Sequence, residues 1–423
     1  MKPPFEAGRV LARAEFVNYY KQLVRDCRHT GMRPGDHLPL LDFPLLMQPG
    51  EWPRLGRLAE KLSGEIAAAE EELLERPELH HMLGLPREIA EVLRDCRRRC
   101  RPKGFGRVMR FDFYHTREGW RFSEANPDAV GGWIPAYAYA KSMASWYPGY
   151  TPPPNPAAAY AKAMRQFAGK GATVAMFHVR VRAAAWCPRF ILKEAEMQGM
   201  SGFLSNPHRV SWKSNFAEIL SRRRRIRPDL MVRLIITTWF TKLRNRALWA
   251  PWFCGSKTPT SNPGSAILIE SKRFSLLLAE LATRMPIFEA YSPESRSPLE
   301  VPRRSQDQWV FKPAFGVGGH GIGLAGISKK TAFERIAERA RRNPSNWVAQ
   351  RRFESVPVET ERGPGHVCLG IFTVDGAAAG VYGRIRGTPL INQHAMNAVI
   401  LIPEQELGAE RTPRKFQLVK NST

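Results

Sequence analysis

Residues 107–126 read RVMRFDFYHTREGWRFSEAN, and no other stretch says as much about the architecture. Two aromatic-rich segments that alternate with period two flank His115-Thr116-Arg117-Glu118, the pattern of a β-hairpin. Side chains alternate faces along a strand, so Arg110, Asp112 and Tyr114 share one face, and Glu124 and Asn126 share a face of the returning strand. With the turn centred near Arg117, residues whose numbers sum to 234 pair, which sets Arg110 opposite Glu124 with Asp112 diagonally adjacent. One face then gathers an arginine, two carboxylates and an amide oxygen. Magnesium takes oxygen ligands in an octahedron, usually one or two carboxylates completed by waters and substrate phosphates. Asp112, Glu124 and Asn126 supply that protein share, and Arg110 can meet developing phosphoryl charge.

Outward toward the C-terminus, Trp309–Lys312 reads as a strand that leads into PAFGVGGHG and then IGLAGI. Glycines at 316, 318, 319, 321 and 323 let backbone N–H groups close on phosphate oxygens. No GK[ST] follows, so this is not a Walker loop, and the loop enters a strand rather than a helix, which excludes a Rossmann fingerprint. A glycine hairpin lying over a triphosphate, with Lys312 beside it, fits the pattern. Residues 270–284 read as an amphipathic helix with a Leu-rich face, which leaves Lys272 in its first turn free to reach a cleft. A helix over Lys329–Arg342 is expected with Ser328 as its cap. HVCLGIFTVDGAAAGVYGRI should turn back at Asp375-Gly376.

Toward the N-terminus, residues 1 to about 100 read as mostly helical, including Gly64–Arg76 after Ser63 and a second helix after Pro86. Between the two halves, TVAMF, FILKEAEMQG and LMVRLIITTWF alternate strand, helix and strand, as in a small α/β unit.

Composition sets outer bounds. The 423 residues carry 64 Lys+Arg against 39 Asp+Glu, a net charge of +25, and 47 of the basic residues are Arg against 17 Lys. Clusters such as Arg97–Arg99 and Arg222–Arg225 suit either a nucleic-acid or anionic-surface footprint or solvated helix faces. No run approaches the ~18 apolar residues of a membrane span. MKPPFEAGRV lacks the apolar core of a signal peptide. A cytoplasmic protein without a membrane partner is therefore expected. Cys27, Cys96, Cys100, Cys187, Cys254 and Cys368 form no zinc-ligand spacing, and free thiols are the expected state.

Taken together, Arg110-Phe-Asp112-Phe, Glu124-Ala-Asn126, Ser271-Lys272, Lys312-Pro313 with its glycine loop, and Val348-Ala349-Gln350 resemble the circularly permuted ATP-grasp ligases, most closely the synthetase domain of glutathionylspermidine synthase. The resemblance spans roughly 105–402 and includes the 12-residue step from Asp112 to Glu124. It implies an α+β, circularly permuted ATP-grasp fold with an additional small α/β subdomain and an N-terminal helical region. The expected divisions are 1–105 (helical), 106–170 (metal-ligand hairpin), 171–265 (small α/β) and 266–423 (lysine and glycine-loop part).

It further implies a carboxylate–amine ligase that uses ATP, releases ADP and phosphate, and proceeds through an acylphosphate. Asp112, Glu124 and Asn126 would hold magnesium, two ions in that family. Lys272, Lys312, Gly316, Gly318 and Gly319 would meet the phosphates, and Gln350 would sit at the adenine hinge. Arg110 would stabilise the transferred phosphoryl, as would a late arginine that aligns with either Arg384 or Arg386. The glycine loop departs from the synthase form G-R-E-G by carrying Val317, and no amidase accompanies the matched stretch, so hydrolase activity is not expected. The acid and amine are expected to be small molecules, and the family's own substrates are not carried over. The alternatives are a basic nucleic-acid or anionic-surface binder, a non-catalytic ATP-binding module, and a kinase using the same phosphate machinery on a hydroxyl.

Overall fold

The hairpin forms as its alternation dictates, with strands Val108–Thr116 and Gly119–Asn126. Met109, Phe111 and Phe113 bury on one face and Arg110, Asp112 and Tyr114 take the other. The register differs from the expected one. Thr116 pairs with Gly119 and Phe113 with Phe122, after which a bulge shifts the ladder, so that Asp112 faces Glu124 and Arg110 faces Asn126. The turn is the two residues Arg117 and Glu118. Continued without the bulge, its register would set Asp112 against Ser123 and carry Glu124 off the functional face.

The computed structural model describes residues 3–35, 39–96, 105–221, 224–243, 245–316 and 318–407. Arg97–Arg99, Cys100, Arg222, Arg223 and Val317 lie outside the described residues, as does the Cys96 side chain. The hairpin is one edge of a mixed, curled sheet ordered Phe5–Ala7, Leu40–Met47, Met396–Pro403, Ala377–Arg386, His366–Val374, Val108–Thr116, Gly119–Asn126. Only Leu40–Met47 and Met396–Pro403 run parallel among these pairs. The strands His366–Val374 and Ala377–Arg386 turn at Asp375 and Gly376, both at positive φ as a type I′ turn requires.

The first hundred residues are mostly helical as expected, in Arg13–Cys27, Glu51–Glu75 and Arg87–Cys96, but they also supply two of the sheet's strands. Pro44 sits inside Leu40–Met47, at the point where the ladder to Met396–Pro403 shifts register and just past the residues paired with Phe5–Ala7, and its carbonyl accepts from Gly8 N at 2.8 Å. The long helix runs Glu51–Glu75 rather than from 64, with Ser63 buried mid-helix. Leu55, Ala59, Leu62 and Ile66 of this helix pack on Phe111, Phe113, Leu369 and Ile371. On the opposite face, Trp133, Tyr160 and Phe372 cover one end of the sheet. The other end is left to a cavity.

A parallel sheet, ordered Thr260–Ser261, Leu230–Arg233, Thr173–Phe177, Ser201–Ser205, forms the expected α/β unit with helix Trp186–Met197. A further sheet places Trp309–Pro313 between Gly323–Leu324 and Trp347–Arg351. Trp309, Phe311, Trp347 and Ala349 face helix Lys330–Arg342 through Phe333, Ala337 and Ala340. By alternation, Lys312 and Gln350 turn to the other side. That helix has Lys329 at its cap position and no side-chain cap, so Ser328 does not serve there.

The amphipathic helix expected over 270–284 is broken. Ile267–Glu270 makes one helical turn, Ser271 is extended, and Lys272–Leu277 is a 3-10 segment. Tertiary bonds override the apolar period: Ser271 Oγ donates to Leu83 O at 2.6 Å and Lys272 N donates to Ala314 O at 2.9 Å. Cys27, Cys187 and Cys368 are free thiols as expected, whereas Cys254 is disulfide-bonded. No helix among the described residues is long and apolar enough to cross a membrane.

Candidate functional site

The bulged hairpin puts Arg110 and Asp112 over Gly370 of the neighbouring strand, which pairs with Asp112. A Cβ at Gly370 would lie 2.6 Å from Arg110 Cδ and 3.0 Å from Asp112 Oδ1, so only glycine leaves room for that pair. Arg110 grips Asp112 with two bonds, Nε to Oδ1 at 2.7 Å and Nη2 to Oδ2 at 3.0 Å. Its remaining Nη1 donates to Gly131 O at 2.9 Å. Arg384 Nη2 adds a bond to Asp112 Oδ2 at 2.8 Å. Both guanidinium carbons stand 5.7 Å from the centroid of the Tyr382 ring, a residue the sequence reading did not single out.

Above this buried carboxylate opens a cavity of about 540 Å³. Its lining includes Arg110, Glu124, Asn126, Lys272, Lys312, Gly316, Gly318, Gly319, Gln350 and Arg384. Ten of the twelve residues named from sequence therefore meet in one space. Asp112 is 1% exposed and lies beneath the two arginines rather than on the wall. Arg386 is not on the wall; its Nη1 donates to Leu390 O at 3.1 Å. Of the two late arginines, Arg384 is the one brought to the site.

Charge decides the state of these groups. Burial pushes the Glu124 carboxyl up, but Lys272, Lys312, Arg384 and Arg110 together hold it down, at about 2. Lys272 Nζ lies 3.2 Å from Glu124 Oε2 and donates to Gly316 O at 3.1 Å, which ties the glycine loop to the acidic hairpin. Burial also lowers Lys272, yet Glu124 and Glu270 outweigh it and the net direction is up. For Lys312 the neighbouring carboxylates offset burial only in part. Burial, reinforced by Lys272, brings it down to about 8 against the pull of Glu124. Glu270, near Lys272, is raised to about 8, first by burial and then by the nearby Asp128, against the pull of Lys272.

The frame that aims the hairpin was invisible in the sequence. Asp128 forms an ion pair with Arg233 at 2.5 Å and accepts from Thr237 N at 2.7 Å. Asn262, at φ +49°, accepts from Val108 N at 2.9 Å and donates to the carbonyls of Val108, Pro127 and Asp128. These residues lock the end of the hairpin to the parallel sheet. Arg233 could have been suspected as a lone arginine inside an apolar strand, which needs a buried partner. The glycine loop is closed from the far side, where a Cβ at Gly319 would sit 2.8 Å from Asn392 Cβ.

This arrangement of sheets and helices has a counterpart of known structure. A glutathione synthetase-like effector from Globodera pallida, in its apo form, superposes with a TM-score of 0.61 over 92% of this chain and 98% of that one, at 10% identity. The two chains share a fold. At that identity the likeness speaks to the fold alone. No family model matches the chain, and no curated protein matches it.

The donor set can be tested for fit to a nucleotide and magnesium. Gln350 Oε1 is buried without a hydrogen-bond partner among the described residues, on the same side of the sheet as Lys312, and can take the amino group of a base. Lys312 forms no hydrogen bond or ion pair with a described residue and so has its charge available for phosphate. Glu124 and Asn126 present oxygens to the cavity. Among the described residues no three His, Cys, Asp or Glu side chains converge as a metal cluster. The residues fit.

Proposed function

We propose that the chain is an ATP- and magnesium-dependent carboxylate–amine ligase of the circularly permuted ATP-grasp type, acting through an activated acyl phosphate. The observation that carries this reading is the meeting of Lys272, Lys312, the glycine loop and Gln350 with Arg110, Glu124 and Arg384 around one cavity. The shared fold with a glutathione synthetase-like protein supports it. ATP with magnesium would supply a transferable phosphoryl group that converts a carboxylate into an acyl donor.

The chain's own part is positioning and electrostatics, which dominate phosphoryl transfer. Lys272 and Lys312 bind phosphate oxygens from two sides, and the glycine loop brings backbone N–H groups over them. Gln350 orients the base. Glu124 and Asn126 hold magnesium. Asp112, expected as a metal ligand, is instead engaged through both oxygens by Arg110 and Arg384 and holds those two guanidinium groups beside the cavity, where the carboxylate must lie. Because Arg110 is buried and the Arg384 side chain is only 14% exposed, their charge on a developing oxyanion is little screened.

The test is a reaction of the full chain with ATP, magnesium and a metabolite extract, followed by mass spectrometry and nucleotide analysis. The reading predicts a new amide formed in step with ADP and phosphate. AMP release, a phosphate ester, or no turnover with any fraction would refute it.

A further inference from the structure

The cavity does not end at the phosphate side. Beyond Arg110 the chain runs through Gly131 and Gly132, where a Cβ at Gly132 would lie 2.5 Å from the Tyr382 ring. The wall then continues into Met32, Ile134, Tyr139, Trp186 and Cys187, from three separate segments. Met32, Ile134 and Tyr139 are buried, and Trp186 is half-buried. Not one of the five carries a charge at neutral pH: burial pushes the Tyr139 phenol upward and the Cys187 thiol to about 11. The Trp186 Nε1–H is buried with no hydrogen-bond partner among the described residues, a donor left for one acceptor.

The charges of the cavity lie elsewhere and are one-sided. Among the described residues its lining carries Arg110, Lys272, Lys312, Arg351 and Arg384 against the single carboxylate of Glu124. A polycationic amine would find repulsion there, and a dicarboxylate would leave its second charge among apolar walls at a cost far above that of a neutral group. An anionic head beside two arginines and an uncharged, aromatic-lined space behind them call for one kind of molecule.

We infer that the acid substrate is a monocarboxylate with an apolar, aromatic-sized body, whose carboxylate meets Arg110 and Arg384 and whose body fills the compartment of Met32, Ile134, Tyr139, Trp186 and Cys187. This rests on the ligase reading for the word substrate, but the recognition it describes can be measured without turnover.

Calorimetry on the full chain would compare 3-phenylpropionate with succinate and spermidine, with and without the ATP analogue AMP-PNP and magnesium. The expected result is that 3-phenylpropionate binds at least tenfold more tightly than succinate, with no binding of spermidine. Trp186→Ala should weaken 3-phenylpropionate at least tenfold, and Trp186→Phe, which keeps a ring, only a few-fold, while AMP-PNP affinity stays unchanged in both. Arg384→Met should also weaken the acid, which reports the head group if Trp186→Ala proves unstable. Succinate binding as well as 3-phenylpropionate, or an unchanged acid affinity in both Trp186→Ala and Arg384→Met, would overturn the inference. AMP-PNP failing to bind while the aromatic acid binds would leave the compartment standing and remove the ligase reading; the converse would remove the compartment alone.

Discussion

Replacing Lys312 with Met should stabilise the free protein and destroy its hold on a nucleotide. The ammonium is lowered from 10.5 to about 8, first by burial and then by Lys272, with Glu124 only partly offsetting. That difference corresponds to about 3 kcal/mol of penalty on the charged form in the native state. The sign follows from proton counting. Below pH 8 both native and unfolded chains hold the proton, so the full penalty acts at pH 7. Between about 8 and 10.5 the unfolded chain binds more protons, and native stability rises with pH. Lys312→Met should therefore be more stable than the parent at pH 7, by up to about 3 kcal/mol, with the gap closing toward pH 10. Phosphate needs the charged form, so nucleotide binding above pH 8 must take up a proton, and affinity should fall up to about tenfold per pH unit. Urea unfolding at pH 7 and 9.5 reads the first effect, and AMP-PNP calorimetry in buffers of different ionisation enthalpy reads the second. A Lys312→Met protein less stable than the parent at pH 7, or an AMP-PNP affinity unchanged from pH 7 to 9.5, would refute the reasoning.

Asp112→Ala strands two buried guanidinium groups without their counter-ion, so it should cost about 3–5 kcal/mol of stability as well as turnover. Denaturant titration reads the stability loss, and Asp112→Asn should lose less. Gly370→Ala forces a Cβ to 2.6 Å from Arg110 Cδ, and should cut ATP turnover at least tenfold through a misplaced Arg110, as steady-state kinetics would show. Arg233→Met leaves Asp128 buried and unpaired, and a loss of about 3–5 kcal/mol in unfolding experiments is expected although the residue touches no cavity wall.

How much of this was legible in the sequence follows from which interactions are local. Alternation along Val108–Thr116 fixed which side chains share a face, and Asp375-Gly376 fixed a turn, because both depend on neighbours in the chain. The order of lysine, glycine-loop and hinge segments carried the resemblance, and the structure gathers those residues around one cavity. What could not be read were contacts with distant partners. The bulge that brings Glu124 to Asp112 depends on packing of both strands, not on a turn signal. Ser271 abandons a helix because Leu83 O lies within reach. Pro44 hid a strand among residues of helical composition, and Arg384 was separable from Arg386 only once Asp112 was seen beneath it.

The account stands on a phosphate site shared by two lysines that the chain brings together from different elements. Its most direct test is calorimetric titration of AMP-PNP with magnesium into the parent protein and into the Lys272→Met, Lys312→Met double variant, at pH 7. The account predicts one nucleotide per chain in the parent and no detectable binding in the variant, whose unfolding transition remains cooperative. Equal binding by both proteins, or none by the parent, would contradict it.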